Sequence, residues 1–171
     1  MQYEFLGIGY LTWITFLPLI GMIIVMLMPK GNANAVKWTA LITTSLQLFV
    51  AALIWINFKP ALTGINNPDG FQFIEKSRWI DLQGMAWVGH VAIDYFLGID
   101  GLSLPMIMLT AIISFVGVIA SWKIDKAQKE YFALYLMLDT GMMGVFVALD
   151  FFLFYLFWEL TLLPMYFLIG I

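Results

Sequence analysis

Long apolar runs broken by short polar clusters organise this chain. Five runs, at about 8–28, 38–58, 102–122, 131–149 and 151–171, are nearly free of charge. Each meets the rule that ~18 or more such residues mark a membrane-crossing helix. Pro29-Lys30-Gly31 and Lys59-Pro60 supply stop signals for the first two. Asp150 is a natural N-cap between the last two runs, which predicts a tight turn and an antiparallel helix pair. The interval 59–98 reads differently. Phe71–Lys76 partly alternates, Val91–Phe96 is rich in strand formers, and Gln83, Gly84, Gly89 and His90 lie between them. The pattern predicts an all-α transmembrane fold of five membrane-spanning helices, with a short β-hairpin in the loop before the third.

Composition narrows the solvent to lipid. Hydrophobic residues make up 63% of the chain and charged residues 11%, against roughly half and a quarter in soluble domains. The absence of cysteine excludes disulfides and thiolate ligands, and with one histidine besides it argues against a self-contained zinc or iron–sulfur site. No basic stripe exists to hold nucleic acid. Residues Met1–Glu4 carry no positive charge and the run after them is too long for a signal-peptide core, so it reads as a retained helix. Lys30, Lys37, Lys123, Lys126 and Lys129 hold five of the eight basic residues and fall on one side of the five-span arrangement. The positive-inside rule makes that side cytoplasmic, with the N-terminus and hairpin outside. Trp13, Trp55 and Trp122 suit interfacial anchors and ordinary lipid-facing aromatics equally.

Two carboxylates fall inside apolar runs, where a charge near the bilayer centre costs about 2.5–3.5 kcal/mol and normally faces a bundle interior with a role. Asp139 lies eleven residues before Asp150 and Glu159 nine after it. At ~1.5 Å per residue both sit roughly 14–16 Å deep, close to the midplane. With no lysine or arginine inside the predicted spans, Glu159 either carries a proton or finds its cation in other polypeptide. Pro164 lacks an N–H and leaves the Leu160 carbonyl free to hold water near that acid. Glu159 is the first candidate for proton transfer, Asp139 the second, and Pro164 marks the expected helix kink; a neutral acid tying two helices is the alternative for each carboxylate. Asp94 and Asp100 flank the third helix, where Asp100 reads as a cap. His90 and the Lys123–Glu130 connection read as solvated.

These motifs resemble a known family. Tyr95-Phe-Leu-Gly-Ile-Asp-Gly-Leu-Ser-Leu-Pro105 is similar to the segment that opens the third helix in chain M (subunit 4) of NADH:quinone oxidoreductase, respiratory complex I. Ala148-Leu-Asp-Phe-Phe-Leu-Phe-Tyr-Leu-Phe-Trp-Glu159, followed by Leu-Thr-Leu-Leu-Pro-Met-Tyr-Phe-Leu-Ile-Gly170, resembles that family's fifth helix. The order of spans matches along the whole chain. The resemblance implies an antiporter-like membrane-arm subunit of about fourteen helices, in which Glu159 matches a glutamate paired with a lysine on the seventh. Residues 1–171 then form the N-terminal part of one multi-pass domain, ending before that lysine.

The implied function is proton translocation coupled to quinone reduction, by a non-redox subunit of a translocase. No cofactor is expected in this chain; NADH, FMN, iron–sulfur clusters and quinone are expected in partner subunits. The implied partners are neighbouring membrane-arm subunits and the lipid bilayer, with no nucleic acid. The implied place is the bacterial inner (plasma) membrane, or alternatively an organellar inner membrane. A subunit of a related membrane hydrogenase or cation/proton antiporter complex, and a purely structural membrane subunit, are the alternatives.

Overall fold

A computed structural model describes residues 4–5, 8–29, 32–59, 70–85 and 89–170, without the side chains of 4–5, 81–85 and 89–92. Lys30 and Ile171, and the side chains of Gln83 and His90, therefore lie outside what is described. Five helices carry the fold: α1 (Tyr10–Leu27), α2 (Ala33–Asn57), α3 (Ser103–Ala120), α4 (Gln128–Val147) and α5 (Phe151–Gly170). Each is long and apolar enough to cross a membrane. The two shortest, α1 and α3, have 18 residues each and extend about 27 Å, near the ~30 Å hydrocarbon thickness.

Boundaries differ from the sequence expectation where polar residues are tolerated near helix ends. α2 begins five residues before Trp38, so Lys37 lies within α2 and is buried. Lys129 likewise falls in the first turn of α4. The expectation of no cation inside any span is thus corrected: long side chains at helix ends can carry their charge toward the interface. α5 continues through Pro164, which is buried.

The hairpin is longer than its strand-forming cores suggested. β3 (Gln72–Met85) pairs antiparallel with β4 (Gly89–Ile99), from Gln72 opposite Ile99 to Met85 opposite Gly89. Register shifts interrupt the ladder at three places, and in the first of them Phe73 takes φ 56°, a left-handed backbone that a bulge demands. The alternating pattern is broken there, so sequence periodicity understates the strand. A two-residue ladder, β1 (Glu4–Phe5) with β2 (Ile8–Gly9), precedes α1 and carried no sequence signal.

Side chains cap the helices, some from the adjoining chain and some from distant segments. Asp100 accepts from the N–H groups of Leu102 and Ser103, at 3.0 and 2.7 Å. Burial works against its charge, yet the bonds from Ser103 and Leu102 hold its carboxyl below the usual range. Asp150 accepts from Leu153 N–H at 3.0 Å, as the N-cap reading expected. α1 has no local side-chain cap at its N-terminus; Glu75 of β3 supplies one, accepting from Leu11 N–H at 2.7 Å and Thr12 N–H at 3.1 Å. At the opposite end Lys129 donates to the Met28 carbonyl at 2.7 Å. An anion at the N-terminus and a cation at the C-terminus both suit the helix dipole.

α4 is the central helix, touching each of the other four. Its glycines allow the closest approach: a Cβ on Gly144 would lie 2.2 Å from ring atoms of Phe157 on α5. Small residues let membrane helices approach closely where lipid offers no hydrophobic drive. Gly144→Val should therefore force the two helices apart, costing about 1–3 kcal/mol. It should lower the unfolding midpoint of the subunit in detergent; an unchanged midpoint would show that this contact does not hold the pair.

Two apolar clusters make up the interior. One, toward the hairpin, includes Leu11, Ile54, Leu97, Ile107, Met143 and Phe157. The other, toward the lysines, includes Val25, Val36, Val118, Phe132 and Leu136. Buried polar residues Thr44, Gln47, Ser114, Asp139 and Thr140 form a third group of interior side chains.

Candidate functional site

The two acids occupy comparable depths but opposite environments. Asp139 is fully buried. Ser114 of α3 donates to its Oδ1 at 2.6 Å, and the Gln47 amide of α2 lies against the same carboxyl. Gln47 also reaches α1, donating through Nε2 to the Ile14 carbonyl at 3.4 Å. Asp139 Oδ2 and Gln47 Oε1 are buried with no hydrogen-bond partner among the described residues. Such atoms are rare in folded interiors, where an ordered water or a further polar group normally pairs them.

Glu159 does not sit inside this helix group, so the expected burial of this glutamate is not seen among these five helices. The physical reason is angular. α5 buries Leu153, Phe157 and Pro164, and a residue two positions after Phe157 lies about 200° round the helix. Glu159 therefore points away from α4, on an exposed face with Tyr155, Trp158, Leu162 and Tyr166. The Tyr155 hydroxyl, one turn earlier, lies beside the Glu159 carboxyl. The structure thus does not join the two carboxylates in one site. Pro164 lies on the inward face, five residues beyond Glu159.

On the hairpin side, Glu75, Thr12 and Tyr95 form a linked cluster that sequence reading missed. The Thr12 hydroxyl donates to Glu75 and pairs with the Tyr95 hydroxyl at 2.7 Å. Because Thr12 has committed its one proton to the carboxylate, Tyr95 is the donor. Burial first, and then the Glu75 charge, push the Tyr95 phenol up to about 12. Lys76 and Asp94, 3.1 Å apart, form an ion pair across the strands. No group of three His, Cys, Asp or Glu side chains lies together among the described residues.

Gln47, Ser114 and Tyr135 were also missed, although a signal existed. Each is a polar side chain within an apolar run, and Tyr131, Tyr135 and Asp139 recur every fourth residue, which places them on one helical face.

Comparison with known proteins places the chain. The family model described as NADH-ubiquinone oxidoreductase chain 4, amino terminus, matches residues 82–149. NADH-quinone oxidoreductase subunit M of Rhodobacter capsulatus is 38% identical over 165 residues, covering 94% of this chain and 29% of the relative. Subunit M of Escherichia coli K12 is 35% identical, covering 94% and 30%. Chain 4 of the NAD(P)H-quinone oxidoreductase of Prochlorococcus marinus NATL1A is 36% identical, covering 90% and 26%. This chain therefore spans under a third of these relatives' length. Its fold is shared with a chain of an archaeal membrane-bound sulfane sulfur reductase, a respiratory membrane complex, at TM-score 0.64 and 22% identity, covering 91% of this chain and 22% of that one. The motifs, the five membrane helices and the relatives agree: this chain corresponds to the N-terminal part of the chain 4 (subunit M) family of NADH–quinone oxidoreductase membrane subunits.

Proposed function

We propose that this chain is the N-terminal part of a proton-translocating membrane subunit of NADH:quinone oxidoreductase, with Glu159 as its proton-carrying acid. The observation that carries the reading is Glu159 itself: a carboxylate near mid-depth on an exposed and otherwise aromatic and aliphatic face of α5. Such a group in lipid costs several kcal/mol unless it is covered and paired. A face of this kind is suited to receive further helices of the same subunit, one of which brings a cation. Pro164 leaves the Leu160 carbonyl without its helical N–H partner one residue from the acid, where it can hold a water.

Electron transfer belongs to partner subunits that hold NADH, FMN, iron–sulfur clusters and quinone, and this chain contributes proton movement only. Its neighbours are other membrane-arm subunits, and its place is the bacterial inner membrane with the lysine-bearing loops toward the cytoplasm. A full-length subunit structure tests the reading directly. A lysine from a later helix should lie within ion-pair reach of Glu159, about 4 Å. A Glu159 left facing lipid, with no cation or polar partner from the added helices, would sink it.

A further inference from the structure

A line of polar side chains runs along the contact between α3 and α4. Tyr131, Tyr135 and Asp139 stack on one face of α4, and Ser121, Gly117 and Ser114 oppose them on α3 and the short turn that follows it. The hydroxyls of Tyr131 and Ser121 are 2.8 Å apart. The Tyr135 hydroxyl donates to the Ser114 carbonyl at 3.0 Å, and the Ser114 hydroxyl donates to Asp139 at 2.6 Å. Gly117 makes room for the middle rung, since a Cβ there would lie 2.1 Å from the Tyr135 hydroxyl. From Tyr131 to Asp139 the line covers eight residues, about 12 Å along the helix. It starts at the lysine-bearing end and finishes at the fully buried acid.

The far end of the line meets the Gln47 amide. Asp139 Oδ2 and Gln47 Oε1 have no hydrogen-bond partner among the described residues. Beyond Gln47, α1 continues the polar contacts: Thr15 donates to the Leu11 carbonyl at 2.8 Å, and Leu11 N–H is held by Glu75 of the hairpin. A simple interhelical tie needs one polar pair. A membrane helix that carries an acid, two tyrosines and their opposing hydroxyls on one face has been given far more.

We propose that this line is a proton path, separate from Glu159, which carries protons between the lysine-bearing face and Asp139. Each hydroxyl on it both donates and accepts. A proton passed from Ser114 to the Asp139 carboxylate leaves a neutral acid, and the serine oxygen regains a proton from the tyrosine side. Water bridges the steps that the side chains do not span directly, at little cost relative to a direct bond. Oδ2 of the neutral acid is then the donor that Gln47 Oε1 lacks. Glu159 faces away from this line, and Lys37 lies ten residues from Gln47 toward the lysine-bearing end of α2. The residues of the path all lie within the first four helices and the short turn after α3, and the path goes beyond the Glu159 reading.

The test uses the assembled complex with the full subunit, measuring proton uptake per quinone reduced in vesicles. Asp139→Asn, Ser114→Ala and Tyr135→Phe should each lower it by about threefold or more, below the ~10²–10⁴-fold that a rate-limiting acid contributes, because Glu159 remains. Ser114→Thr keeps the hydroxyl and should keep the uptake. Combining Ser114→Ala with Asp139→Asn should add little to either change, since both act on one path. Tyr135→Phe retains the packed ring, so it reports on the hydroxyl even where another variant assembles poorly. Normal uptake per assembled complex in Tyr135→Phe and Asp139→Asn would overturn the proposal, including when assembly alone falls. Glu159→Gln is scored separately, so either route can fail without the other.

Discussion

Glu159→Gln, placed in the full-length subunit, should abolish coupled proton pumping while the complex assembles and its electron-transfer modules stay chemically intact. Glutamine keeps the shape and hydrogen-bonding capacity of the side chain but cannot take up and release a proton at working pH. The expected loss is large because of where the acid sits. A lysine about 4 Å away stabilises the carboxylate by ~4 kcal/mol at an effective dielectric constant of ~20. Withdrawal of that cation removes a comparable amount and favours proton uptake; its return favours release. At ~1.4 kcal/mol per tenfold, such a movement switches proton occupancy almost completely. Glu159→Asp keeps the charge but shortens its reach, and should retain part of the activity. Proton uptake in membrane vesicles at matched assembly decides the matter, and full pumping by Glu159→Gln ends the mechanism.

The number and order of the helices were legible because lipid imposes a simple code: long apolar runs with polar breaks. Asp100 and Asp150 were legible as caps because an N-cap acts over two or three residues of its own chain. Glu75 was not, since its partners Leu11 and Thr12 lie 64 and 63 residues away. Lys129 was hidden for the same reason, its acceptor Met28 being 101 residues distant. The depth of the two acids followed from counting residues on either side of Asp150. Their facing did not, because α5 is apolar on every side apart from Glu159 and Thr161, and its inward side is chosen by Gly144 meeting Phe157. Both acids were read as facing the interior, and among these five helices only Asp139 does so. Gln47 and Ser114 were visible as polar positions in apolar runs, but only the packing of α2 and α3 on α4 shows that both meet Asp139.

Glu75→Ala should detach the hairpin from α1, with the second largest effect expected here. The carboxylate satisfies Leu11 N–H, Thr12 N–H and the Thr12 hydroxyl together. The first two are otherwise orphan donors of the first helical turn. Charge-assisted bonds of this kind contribute about 1.5–3 kcal/mol each, and the anion adds ~0.3–1 kcal/mol against the helix dipole. Removing them should cost roughly 3–5 kcal/mol, more than most single substitutions. Glu75→Gln keeps one accepting oxygen and should lose about half as much. A second approach leaves the acid in place: a Cβ on Gly9 would lie 2.1 Å from the Glu75 carboxyl, so Gly9→Val should push it off the helix end. The disturbance should reach α5. Leu149 N–H donates to the Phe96 carbonyl at 2.9 Å, and Leu97 bridges to Ala148, so β4 is fastened to the turn from which α5 starts. Hydrogen–deuterium exchange should accelerate at Leu11, Thr12 and the paired residues of β3 and β4 in both variants. Lys129→Met, which removes the cap at the opposite end of α1, should leave those amides unchanged. Unaltered exchange in Glu75→Ala would show that other contacts, not this cap, hold the hairpin in place.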